Sequence, residues 1–180
     1  MTMLILEASR TSEQPGIPVD ALGRLLDDLA LLLAGLDRDA YVTRTRPGVS
    51  GSVGAHVRHV LDHVSAFVAA GSRRLVNYDR RQRGTDIEVN LESALSAICS
   101  LQVALGTMAA LSADEPVQVV TQFEPGAAAV ATWSSFGREL AFVINHTIHH
   151  HAIVALLLDG DERPPLPARF GYAPSTPVES

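Results

Sequence analysis

The sequence predicts an all-α fold, a four-helix bundle built from one domain of 180 residues. Three observations predict it. Four segments carry apolar residues at i, i+3, i+4 and i+7, and turn-forming residues separate them. A 47% hydrophobic composition fills one core in a chain too short for two. The bundle core is expected from about residue 18 to 160, with less regular termini over 1–17 and 161–180.

Asp20 is a plausible cap for the first helix, whose Leu22, Leu25, Leu26, Leu29, Leu32, Leu33 and Leu36 form one stripe. After the turn at Arg46-Pro47-Gly48, Ser50 or Ser52 can cap a second helix. Its Val53, Val57, Val60, Leu61, Val64, Phe67 and Val68 keep helical spacing, and it is expected to run to about Val76. Leu91, Leu95, Ile98, Leu105 and Met108 mark a third helix ending near Leu111. The β-branched run Val117 to Phe123 and the turn Glu124-Pro125-Gly126 then predict a small β-hairpin. Ser134 or Ser135 opens the last helix, carrying Phe136, Leu140, Val143, Thr147, Ile148, Val154 and Leu158 up to Asp159-Gly160. The proline-rich tail is expected to run over the surface.

Composition narrows the chemistry. Cys99 is the only cysteine, so there is no internal disulfide framework and no thiolate-rich zinc cluster. Its neighbours Ala94, Leu95, Ile98 and Leu105 give it a buried structural role. All 14 basic residues are arginine, which excludes lysine Schiff-base and P-loop chemistry. A net charge of −6 has the wrong sign for nucleic acid. The longest uninterrupted apolar runs, Leu29 to Leu36 and Ala152 to Leu158, fall short of the roughly 20 residues that span a bilayer. The N-terminus lacks a signal-peptide pattern, so a cytoplasmic location is expected.

All seven histidines fall in two windows: His56, His59 and His63 on the second predicted helix, and His146, His149, His150 and His151 on the last. Residues four apart share a helix face, so His146 and His150 can point two imidazoles at one ion. A facing helix can deliver a third donor, as helix bundles do when they build metal sites. Periodicity favours His56 or His63 for that role. Both project closer to the stripe centred on Val60 and Val64 than His59, which sits at its edge.

The segment Ser52-Val-Gly-Ala-His-Val-Arg-His59-Val-Leu-Asp62-His63, the later Arg138-Glu-Leu, and His146-Thr-Ile-His-His150-His resemble the DinB/YfiT-like family of bacterial four-helix-bundle proteins. Similarity extends to Tyr78-Asp79-Arg80-Arg81-Gln82-Arg83, Ile87-Glu88 and Phe170-Gly171-Tyr-Ala-Pro174-Ser175-Thr176, and covers most of the chain. The resemblance implies a metal triad of His59, His146 and His150. Asp62, three residues after His59, fits the family's local pattern, and His63 is the reserve ligand.

Three imidazoles leave a coordination position for water, the arrangement of a catalytic or ligand-binding ion rather than a closed structural one. Zinc and nickel are the leading candidates for this one divalent ion, and iron or cobalt also suit the donors. The resemblance implies a metal-dependent enzyme of thiol S-transferase or hydrolase class acting on an unidentified small molecule. The alternative is a noncatalytic metal or small-ligand binding protein linked to stress, and a third reading is a structural, dimerising bundle. A homodimer is the one protein partner expected. Glu139 lies seven residues before His146 and could orient a ligand or substrate; its plainer role is to favour the helix dipole. Arg81 and Arg83, with Arg73, Arg74 and Arg80, could form a rim for an anionic substrate; the plainer role is solvated ion pairing with Asp79, Asp86 and Glu88.

Overall fold

The first long helix, α1 (Asp20–Ala34), buries the leucine stripe at Leu22, Leu26, Leu29, Leu32 and Leu33. These positions come from the computed structural model of the chain, which describes residues 16–43, 46–80, 84–159 and 165–177. Asp20 lies in the first helical turn rather than capping it, and Val19 holds the cap position with no side-chain bond. A short helix, α2 (Arg38–Val42), follows at once, its first turn held by Asp37, which accepts from the Ala40 N–H at 2.7 Å.

Ser52 caps α3 (Val53–Arg73), accepting from the Ala55 N–H at 3.2 Å. The helix ends three residues earlier than its apolar spacing predicts. Arg74 takes a left-handed conformation (φ 54°) and returns its N–H to the Ala70 carbonyl, so Leu75–Val76 leaves as a strand, β1. Gly54 is fixed by a close approach: a Cβ there would lie 2.1 Å from the Glu88 carbonyl oxygen, in the 3-10 turn Asp86–Glu88. Asn90 caps α4 (Leu91–Met108) by accepting from the N–H groups of Glu92 and Ser93.

The expected hairpin is present as β2 (Pro116–Thr121) and β3 (Val130–Ser135), antiparallel with Gln118 opposite Trp133. β1 pairs with β2 in parallel, Leu75 opposite Gln118, to give a three-stranded sheet in the order β1, β2, β3. The all-α expectation is therefore corrected to a mostly helical fold with a small sheet. Two residues are too few to show a strand period, which is why β1 left no signal. Ser135 ends β3 and caps α5 (Phe136–Leu157), accepting from the Arg138 N–H.

α3 packs on α4 and α5, and α1 packs on the same two helices. Their buried faces share one core with Val117, Val119, Phe136 and Phe170. By length and composition alone, α4 and α5 are apolar enough to cross a membrane, with mean hydropathies of 1.3 and 1.4 over that length. Buried core helices pass the same test, and α5 buries Phe136, Leu140, Val143, Val154 and Leu157.

Two further expectations change. Cys99 is exposed, because α4 turns Ala94, Ile98, Leu105 and Met108 inward and the next position after Ile98 faces outward. The tail does more than cover surface. Phe170 is 3% exposed and stacks on His151 with ring centroids 4.2 Å apart, while Gly171 (φ 80°) lies so close to α5 that a Cβ would meet the Ala152 backbone at 2.7 Å.

Candidate metal centre

α3 and α5 face each other along the stretch that carries the histidines. His59, His146 and His150 offer ring nitrogens that all lie within 4.8 Å of one another. His59 Nε2 and His146 Nε2 lie 3.0 Å apart. His59 lies at the edge of the α3 stripe, and that edge is the one turned toward α5.

The donor set suits an ion. Tetrahedral nitrogen ligands about 2.0–2.1 Å from a metal stand a little over 3 Å apart, within the spread of these three rings. His150 is also prepared to bind as a neutral imidazole. Burial, followed by repulsion from His146, His59, His56 and His149, pushes its pKa down to about 2.

The other histidines divide by face. His63 is 4% exposed, approaches the His59 carbonyl oxygen with Nδ1 at 2.9 Å, and lies between His146 and Tyr78, stacked on each. Its ring thus neighbours the triad without belonging to it. His56 reaches His150, with the two Nδ1 atoms 3.0 Å apart, and its own pKa is lowered by burial against the opposing pull of the Ser50 carbonyl. Periodicity gave His56 a place near the core but no partner; only the pairing of the two helices shows that it meets His150. His149 is exposed, and His151 is fully buried on another face.

Asp62 is held by Arg58 at 2.6 Å, and Arg58 also pairs with Glu88. Glu139 is buried and both its oxygens accept: Tyr78 donates at 2.9 Å and Ser134 at 2.6 Å. That carboxylate ties the hairpin and the segment after β1 to the start of α5. A cavity of about 450 Å³ opens beside it, lined by His63, Tyr78, Phe123, Arg138, Glu139 and Phe142 among others. Through His63 and Phe142, each stacked on His146, this cavity borders the histidine cluster. Tyr78 enters the sequence reading only within a family-like segment and Phe123 only as the end of the β-branched run; that these two and Phe142 line a cavity leaves no periodic sign in the sequence. Arg81 and Arg83 lie outside the described residues. Arg73 and Arg80 line a separate groove of about 490 Å³ with Asp62 and Asn77.

Among curated proteins the chain is similar to FK506-binding protein 5 of Rhizopus delemar, 32% identical over 104 residues. Those residues are 57% of this chain and 26% of that protein, so the chain spans about a quarter of its relative. No family model and no solved structure matches the chain.

Proposed function

We propose that the chain is a DinB/YfiT-like four-helix bundle that binds one divalent metal ion, zinc or nickel foremost, through His59, His146 and His150. The observation that carries this reading is the convergence of three imidazole nitrogens from two helices within 4.8 Å. When bound, such an ion lowers the pKa of a coordinated water or polarises a small thiol or carbonyl placed against it. The chain's own residues do the rest. His63 and Phe142 wall the ion's surroundings on one side, and the aromatic cavity beyond them offers Arg138 to an anionic group and Tyr78, Phe123 and Phe142 to an apolar body.

The reaction class that fits is metal-dependent transfer to a small thiol, or hydrolysis, on a small molecule in the cytoplasm. Neither nucleic acid nor a membrane is part of the reading, and a homodimer is its only protein assembly. The test is metal quantification on untagged protein, then a thiol-transfer and hydrolase substrate panel with the metal-stripped form as control. Turnover that needs the metal supports the enzyme.

A noncatalytic metal or ligand binding protein is the second reading. It is favoured by Glu139, the buried one of the two carboxylates that line the cavity with Asp79, having both oxygens committed to Tyr78 and Ser134 rather than available to move a proton. Stoichiometric metal with no turnover across the panel would select it.

A further inference from the structure

His56 uses both ring nitrogens, and the identities of their partners fix where its proton sits. Nε2 lies 2.9 Å from the Ser50 carbonyl oxygen, which can only accept, so Nε2 carries the hydrogen. In the neutral ring Nδ1 is then a bare lone pair. It lies 3.0 Å from Nδ1 of His150, so that nitrogen must carry the hydrogen between them. His150 is left with Nε2 bare, and a bare nitrogen is what an ion needs.

We propose that His56, anchored on the Ser50 carbonyl, is a positioning residue that locks His150 into the Nδ1–H tautomer and aims its Nε2 at the ion. This rests on the three-histidine metal reading. His56 acts behind the ligand rather than as a ligand: the nitrogens that gather within 4.8 Å come from His59, His146 and His150. The chain Ser50 carbonyl, His56, His150 takes the place that a carboxylate or carbonyl bonded directly to a metal-binding imidazole usually holds. Without His56, the His150 proton is free to occupy Nε2, the nitrogen needed for ligation.

The first test is long-range proton–nitrogen NMR of the metal-free, full-length protein, parent against His56→Ala. The expected result is His150 in the Nδ1–H form in the parent and a shift toward Nε2–H in the variant. His150 in the Nε2–H form in the parent overturns the proposal without touching the metal reading. The second test is Co²⁺ affinity by chelator competition, with X-ray absorption counting imidazoles. His56→Ala is expected to bind about 10- to 100-fold more weakly while keeping three imidazoles per ion. His56→Gln, which can donate to Ser50 and accept from His150, is expected to recover much of the loss. Unchanged affinity in His56→Ala, or loss of one imidazole from the ion, overturns the positioning role. So does a loss that glutamine fails to rescue and that is matched by a fall in the metal-free melting temperature, because that marks packing. A parent protein that binds no stoichiometric Co²⁺ overturns the metal reading itself, and the proposal with it.

Discussion

His150 and His151 are adjacent and both buried, yet their ring nitrogens meet different surroundings. His150 has His56 within 3.0 Å and the triad on its other side, whereas neither ring nitrogen of His151 has a partner among the described residues. Burial alone pushes the His151 pKa down to about 4. A buried polar atom without a partner costs about 1–3 kcal/mol, so His151→Phe, which keeps a ring to stack on Phe170, is expected to stabilise the protein by about 1 kcal/mol or more. A thermal melt checks it: the midpoint should rise by about 2–4 °C with metal content unchanged. His59→Ala should lose metal as severely as His146→Ala, measured as ions per chain; retention by His59→Ala would contradict its place in the triad. The histidine cluster was legible because all seven residues crowd into two windows. Choosing among His56, His59 and His63 was not legible from periodicity, since a helical wheel ranks depth toward one core and says nothing of which neighbouring helix each edge faces. His63 is indeed the more buried, and His59 is the one that meets His146 and His150.

Elements were legible in proportion to their length. The four long helices and the hairpin showed in the 3.6-residue and β-branched patterns, and Ser52 and Ser135 were readable as caps. α2, the 3-10 turn and β1 were not, because five, three and two residues hold too little pattern. Their positions are set by tertiary contacts such as Tyr41 donating to the Ile87 carbonyl at 2.5 Å. The junction of α3 with the 3-10 turn is the tightest of these. Gly54→Ala is expected to destabilise by several kcal/mol, since its Cβ would meet backbone that cannot move aside without disturbing Gly54's neighbour Tyr41 as well. Denaturant unfolding is the check, and a loss below about 1 kcal/mol would mean that the turn yields. At α4, Asn90→Ala removes an acceptor shared by two N–H groups and should cost about 1 kcal/mol.

Across the whole molecule, the core that joins α1, α3, α4 and α5 is apolar and extends well beyond the histidines, from Ile17 to Phe170. Helical stability in such a fold comes from burying apolar faces rather than from an ion. Chelation should therefore lower the melting temperature and leave the helical circular dichroism in place. The size follows mass action, about 2.7 kcal/mol at a free metal concentration one hundred times the dissociation constant. Collapse of the helical signal on chelation would mean instead that the ion is part of the folding core. The mostly helical character was readable at this scale because four apolar periodic segments must close on one core, whereas the parallel pairing of β1 with β2 joins residues more than forty apart and leaves no local trace. The most direct measurement is elemental analysis of protein purified without an affinity tag, on the parent, His146→Ala and His150→Ala. One divalent ion per parent chain and little in either variant is the expected result; no stoichiometric metal in the parent, or full retention by either variant, would contradict the three-histidine centre.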